Sequence, residues 1–387
     1  MKDFDYLGEG EVYFDCACQS LRPRPVIDAI EQYYTAHNSC GERVKYKWGR
    51  ITDEKVENTR EKVLDFLKLK SKKYTVSFTL NTTYGINLIL NQIDSNKFNK
   101  IMTSEIEHNS PFLASLAFSE RNHIPREVMK RNEDGSITLE DYDFTDAIVV
   151  VNCASNFDGR KLLNIKELND TVHKAGGILI IDAAQAMAHS VDVLRGVEVD
   201  AICFSAHKLY APSLGVIVWR DELDDYLVTS FIGGGMVDDV NLNTYELSAN
   251  NKEHRYTRFE SGLQAWGEIV GLGAAIDWIS QLPASDWNNL ERNAKDIFDF
   301  LSSSNKVHLI NKNPNPTMSF YVDGLDSHLL GEALSRENIM ARTGYFCVHY
   351  YLDHVLGLPP LMRFSLGLHN RPEDIEKVKS VMEKIIK

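Results

Sequence analysis

The sequence predicts an α/β protein: a central, mostly parallel sheet with helices on both faces, plus a smaller C-terminal α/β domain. Two observations carry this reading. Short apolar runs of strand length alternate with segments of helical period through most of the chain, and strands separated by helices pair in parallel and are buried on both faces. The pattern then changes around Ser280–Asn288, where Leu282-Pro283 ends a helical stretch and the later elements are shorter. The expected large domain covers residues 16–280, and the expected small domain joins 1–15 to 281–387.

Taken in order, Arg50–Leu69 places Val56, Val63, Phe66 and Leu67 on one side at helical spacing. Tyr74–Thr79 reads as a strand and Gly85–Ile93 as a helix, followed by a strand at Lys100–Thr103 and a helix at Ser110–Glu120. Ala147–Asn152 is a strand with three consecutive valines. Asn164 and Glu167 have the spacing of a capping box, which predicts a helix from there to about Lys174, stopped by Gly176 and Gly177. Gly177–Ile181 and Ala201–Phe204 are further strands, and Trp287–Ser302 a further helix.

The chain has 387 residues, 43% hydrophobic and 25% charged, values that exclude global disorder. With 42 Lys+Arg against 55 Asp+Glu, its formal charge of -13 repels phosphate backbones, so nucleic-acid binding is not expected without a local basic patch. Six cysteines, with no C-x-x-C pair and no zinc-spaced cluster, fit neither a disulfide scaffold nor a metal site. No apolar run reaches the roughly 18 residues of a membrane span, and Met1 to Tyr6 lack a signal-peptide layout. A cytoplasmic location is the expectation.

In open parallel sheets, ligands bind at the carboxyl ends of the strands, and polar residues cluster there. Thr82 and Thr83 follow the first strand, Glu107 and His108 the second, and Ser155 and Asn156 the third. Asp182 and Gln185 come next, then Ser205, His207 and Lys208. A lysine just after a buried strand is a candidate for covalent attachment to a carbonyl cofactor. A carboxylate ending an Ile-Leu-Ile-Ile strand is costly unless a cation meets it. The pyridinium nitrogen of pyridoxal phosphate is such a cation, and an Asp partner lets that cofactor act as an electron sink. Two threonines where a helix begins form a phosphate site, and the flat ring of His108 suits stacking.

These residues bear a resemblance to a known family. The stretches Phe78-Thr-Leu-Asn-Thr-Thr-Tyr-Gly-Ile-Asn87, Glu107-His108, Ser155-Asn156, Asp182-Ala-Ala-Gln185 and Phe204-Ser-Ala-His-Lys208 carry it. So do Gly233-Gly-Gly235, Arg258-Phe-Glu-Ser-Gly262, Arg342-Thr-Gly-Tyr-Phe-Cys347 and Arg363-Phe-Ser-Leu366. From about Tyr13 to Ile375 the chain resembles the class V aminotransferase family of pyridoxal-phosphate enzymes, fold type I, in the branch of cysteine desulfurases and selenocysteine lyases.

The resemblance implies that Lys208 holds the cofactor, that Asp182 pairs with its ring nitrogen, and that Gln185 contacts its ring hydroxyl. It implies that His108 stacks on the ring and Asn156 faces it, while Thr83, Ser205, His207 and Thr82 bind the phosphate. Arg363 would grip the substrate carboxylate, and Cys347 would be the nucleophile that takes sulfur from L-cysteine, leaving L-alanine and a persulfide. The same resemblance implies a homodimer and a sulfur-acceptor protein. The alternative is a class V aminotransferase, an epimerase, or a selenocysteine or carbon–sulfur lyase without persulfide chemistry.

The sequence departs from the family in several places. Leu263 and Gln264 follow Gly262 where the family has Thr-Pro, and that Thr reaches the partner subunit's phosphate; Ser261 is a substitute donor. Tyr345 and Phe346 precede Cys347, and Val348-His349-Tyr350-Tyr351 follow it. The segment Cys40–Arg50, with Arg43, Lys45, Lys47 and Trp48, replaces the family's His-Arg-containing entrance loop. The cysteines other than Cys347 are expected to be packing residues, with Cys18 as the one that could relay sulfur.

Overall fold

The computed structural model describes residues 2–41 and 44–386; Arg43 of the entrance segment lies outside the described residues. In chain order the elements are β1 (Val12–Tyr13), α1 (Arg24–Ala36), α2 (Lys47–Leu67), β2 (Tyr74–Thr79), α3 (Thr82–Gln92), β3 (Lys100–Ser104), α4 (Asn109–Asn122), β4 (Arg126–Met129), β5 (Ala147–Asn152), α5 (Ile165–Lys174), β6 (Ile178–Asp182), α6 (Ala186–His189), β7 (Ala201–Ser205) and β8 (Gly215–Arg220). There follow β9 (Val237–Val240), β10 (Tyr245–Leu247), α7 (Trp266–Ser280), α8 (Ala284–Ser303), β11 (Val307–Leu309), β12 (Thr317–Val322), α9 (Ser327–Arg336), β13 (Ile339–Met340), β14 (Arg342–Gly344), β15 (Leu361–Ser365) and α10 (Pro372–Ile386). The chain divides into two compact units. The larger comprises Pro25–Cys153 and Lys161–Ile279, and the smaller Met1–Arg24, Ala154–Arg160 and Ser280–Lys387.

The larger unit is built on a seven-stranded sheet in the order β2-β8-β7-β6-β5-β3-β4. Every pairing among β3 to β7 is parallel. β8 runs antiparallel between β2 and β7, so one reversed strand interrupts an otherwise unidirectional sheet. All six residues of β5 are buried, as expected of a strand covered on both faces. This is why it reads as an unbroken apolar run rather than an alternating one.

Most expected elements appear within a few residues, and the differences have local causes. Helix α3 begins at Thr82 rather than Gly85, because the Asn81 side chain accepts a hydrogen bond from Tyr84 N and caps it. The capping box expected at Asn164 does not form. Asn164 precedes α5 but makes no cap bond; its amide instead pairs both ways with the backbone of Ile137, at 3.1 and 2.7 Å. Val56, Val63, Phe66 and Leu67 are buried on α2 as expected.

The smaller unit holds a four-stranded antiparallel sheet, β11-β12-β15-β14, and a two-stranded parallel pair, β1-β13. Arg363 lies at the middle of β15, opposite Ser319 on one side and Arg342 on the other.

Candidate active site

In the larger unit the end of β2 is fixed from below. Glu260, fully buried, receives a two-pronged ion pair from Arg60 at 2.7 and 2.8 Å. It also accepts the backbone N–H of Phe78 at 2.6 Å. Burial raises the Glu260 pKa and the Arg60 charge opposes the rise. The Arg60 guanidinium lies over the rings of Phe78 and Tyr256, at 4.6 and 4.1 Å. Beside it, β8 must start at a glycine: a Cβ on Gly215 would fall 2.3 Å from Thr79 Oγ1 and 2.4 Å from Asn81 N.

The chain then turns into α3, and its first residues meet other strand ends. Thr82 N donates to Ser205 Oγ at 2.9 Å, and the two hydroxyls lie 2.7 Å apart. The Thr83 hydroxyl is 2.6 Å from Ser110 Oγ, which is 2.8 Å from His108 Nδ1. Ser110 N also donates to that nitrogen, at 3.0 Å. Nδ1 is therefore an acceptor, and the proton of the neutral ring sits on Nε2. His108 caps α4 and presents its ring in a fixed tautomer at once. Ser110, which joins His108 to Thr83, was not singled out in the sequence because it reads as an ordinary first-turn residue; a hydroxyl two positions after a capping side chain was the available signal.

Asp182 ends β6, opposite Asn152 and Cys203 in the ladders. Its carboxylate accepts from Ala184 N at 2.9 Å. Burial raises its pKa, while Ala184 and the charge of Lys208 pull it down. The group is thus a buried carboxylate acted on by an amine, at the position the strand-end rule singles out. Gln185 opens α6, and His207 and Lys208 lie on the single turn after β7, half-buried. Glu107, one residue before the ring, is buried and accepts from Asn152 N at 2.7 Å and from Ser104 Oγ. Burial pushes its pKa up to about 8, against the pull of Arg131; Arg131 itself donates to Asn152 O at 3.2 Å. Together they hold the ends of β3 and β5.

Asn156, Arg363 and Cys347 belong to the smaller unit and form a second group. Arg363 is 3% exposed. It donates through Nη2 to Asp15 Oδ1 at 2.8 Å and through Nη1 to the backbone carbonyl of Asn156 at 2.9 Å. Its guanidinium lies over the Phe346 ring at 4.8 Å. Burial lowers its pKa and Asp15 opposes the fall. Cys347 is exposed. Phe346 and Cys347 have φ of 51° and 60°, two successive non-glycine residues in the left-handed region, at about 1–2 kcal/mol each.

Cys16, Cys153 and Cys203 are buried as expected, and burial pushes all three thiols up. Cys40 is exposed, so the packing role expected for it is corrected: it sits in an irregular stretch before α2 with its side chain toward solvent. Leu263 is 76% exposed.

The larger unit's residues fit pyridoxal phosphate. A fully buried carboxylate under the influence of a lysine amine suits a ring nitrogen that carries a proton. Hydroxyls of Thr82, Thr83 and Ser205 gather where an eleven-residue helix begins, a place that favours a phosphate.

Comparison with known proteins agrees with this chemistry. A protein of Pyrococcus abyssi named "Probable cysteine desulfurase" is 27% identical over 97% of this chain and 94% of its own length. A cysteine desulfurase of Pectobacterium atrosepticum is 26% identical over 98% and 94%. The apo structure of a cysteine desulfurase from Thermococcus onnurineus superposes with a TM-score of 0.88 at 28% identity, covering 100% of this chain and 96% of that one. The Escherichia coli cysteine desulfurase CsdA, at 22% identity and a TM-score of 0.87 over 99% and 96%, shares the fold. The family described as Aminotransferase class-V matches residues 12–378, so the chain belongs to the class V aminotransferase family.

Proposed function

We propose that the protein is a pyridoxal-phosphate-dependent cysteine desulfurase, which converts L-cysteine to L-alanine and leaves the sulfur as a persulfide on Cys347. The observation that carries the reading is the buried Asp182 carboxylate at the end of β6, with Lys208 acting on it. The relatives named cysteine desulfurase support the choice of substrate. Pyridoxal phosphate, when bound, supplies a protonated conjugated ring that takes up charge from the substrate's α-carbon.

The chain's own residues do the rest. Lys208 Nζ holds the cofactor and moves the proton at the α-carbon. Asp182 stabilises the positive ring nitrogen, and Gln185 meets the ring oxygen. Thr82, Thr83, Ser205 and His207 bind the phosphate. His108, locked by Ser110, offers a ring face and an Nε2 proton. Arg363 receives the substrate carboxylate, for which a planar fork is suited. The Cys347 thiolate bonds to the substrate sulfur as the carbon–sulfur bond breaks; that bond's electron pair stays with the carbon, which takes up a proton and becomes alanine's methyl group. Asn156 spends its amide on the smaller unit, and its Oδ1 is the atom left for a ligand.

A thiol-bearing acceptor protein then takes the sulfur. A second copy of the chain covers exposed apolar residues of the larger unit, among them Phe231, Ile232, Leu242 and Leu263. No helix among the described residues is long and apolar enough to cross a membrane, and we assign the enzyme to the cytoplasm.

The test is the Cys347→Ser variant supplied with L-cysteine. It is expected to keep the cofactor's visible absorbance and to lose both alanine release and protein-bound sulfur, because a hydroxyl is a far weaker nucleophile than a thiolate. Undiminished persulfide formation would move the role to another thiol, Cys18 first. Alanine released by the unsubstituted protein without any protein-bound sulfur would replace the reading with that of a lyase.

A further inference from the structure

The thiol of Cys347 sits on a turn that its own residues disfavour. Val348 N bonds back to Tyr345 O at 2.8 Å, closing a β-turn whose two central residues, Phe346 and Cys347, both have positive φ. That combination belongs to type I′ turns, where Asn-Gly is the favoured pair. A Phe-Cys pair does not choose it locally, so something outside the turn holds it.

The holding group is Asn156. It is buried, 6% exposed, and its Nδ2 donates to the Phe346 carbonyl at 2.7 Å. That carbonyl belongs to the peptide that joins Phe346 to Cys347. The backbone carbonyl of the same Asn156 accepts from Arg363 Nη1, and Arg363 in turn lies over the Phe346 ring. Side chain and main chain of one residue therefore grip the nucleophile's turn and the arginine beneath it. The Arg363 Nε is buried with no partner of its own, while its other two nitrogens hold Asp15 and the Asn156 carbonyl.

We propose that Asn156 is a positioning residue for Cys347: its amide pins the left-handed Phe346–Cys347 peptide, and through its backbone carbonyl it keeps that turn in register with Arg363. This rests on the reading of Cys347 as sulfur acceptor and Arg363 as carboxylate grip. A substrate carboxylate that docks on Arg363 then meets a thiol already held, not one that must be captured from a mobile loop.

The experiment uses the full-length, cofactor-loaded protein and the variants Asn156→Ala and Asn156→Leu; the second keeps the volume, removes the donor, and serves if the first does not fold. Both leave the backbone carbonyl, and with it Arg363, in place. Hydrogen exchange of the Val348 amide is expected to speed up roughly tenfold, the loss of about one hydrogen bond. The kcat for cysteine per bound cofactor should fall at least as far, with KM changed less than about threefold. Adding Phe346→Asn to either variant should restore much of the exchange protection, since asparagine tolerates the left-handed region. Unchanged Val348 exchange in both variants overturns the proposal. So does loss of cofactor with the turn still protected, which would place the amide's work on the cofactor. Failure of the functional reading is seen elsewhere: if Cys347→Ser still accumulates bound sulfur, that reading falls while the exchange result stands.

Discussion

The two units hold reactive side chains in opposite ways. In the larger one, Asp182, Ser205 and the start of α3 sit where straight, buried strands end, and each side chain goes where its strand sends it. In the smaller one, Cys347 stands on a turn against local preference and is kept there by bonds from residues far away in sequence. The first arrangement suits a group that must bind a rigid ligand and stay still. The second stores strain at Cys347, the position we propose presents a sulfur.

The largest expected effect probes the strand-end group. Lys208→Ala should abolish turnover and the visible absorbance of bound cofactor, while circular dichroism stays native, because the lysine is half-buried on a short turn outside the core. Retained absorbance would break the assignment of the larger unit as the cofactor's seat.

Arg363→Ala probes the pinned group. Loss of a charged hydrogen-bonded grip on the carboxylate costs about 1.5–3 kcal/mol, so KM for the amino acid should rise roughly 10- to 150-fold with cofactor content unchanged. An effect on cofactor retention instead would make the arginine a structural tie between Asp15 and Asn156.

The smallest effect sharpens the contrast from below, at Glu107. Its folded pKa, pushed up to about 8, lies above the unfolded value near 4.5. The folded protein thus keeps a proton that the unfolded chain releases, and this contribution to stability is lost as pH rises from about 4.5 to about 8. Arg131 and Asp182 are the charged groups that act on it across the strand ends. Urea midpoints at pH 5.5 and 7.5 should show the unsubstituted protein losing on the order of 1 kcal/mol more than Glu107→Gln. Parallel slopes for the two proteins would mean that Glu107 is ionised throughout.

The sequence made the larger unit readable for a physical reason. A strand buried on both faces is a continuous apolar run that stops at a polar residue; Ala147–Asn152 and Ile178–Asp182 announce themselves and their ends. The sequence therefore locates Asp182, Ser205 and Lys208 at strand ends, where the fold has them. The smaller unit's sheet was not readable. β15 lies between β12 and β14, and no local periodicity encodes such pairings. Asn164 shows the same limit at one residue: its spacing to Glu167 spells a cap, yet a tertiary partner, the Ile137 backbone, takes the side chain. The turn at Cys347 was hidden most deeply, because Phe-Cys carries none of the residue preferences that mark left-handed turns. Family resemblance points to the cysteine; what holds its turn is Asn156, 190 residues away in sequence.

The pairing of β1 with β13 has a consequence for how the chain is made. Val12 lies beside Ile339, so the first strand finds its partner only after more than three hundred further residues have been made. At about 5–20 residues per second, Val12 leaves the ribosome on the order of 15–65 s before its partner exists. The segments that form the larger unit, ending at Ile279, emerge inside that interval. During it Val12, an apolar residue that ends up buried, has no strand partner and waits exposed until the smaller unit can close around it.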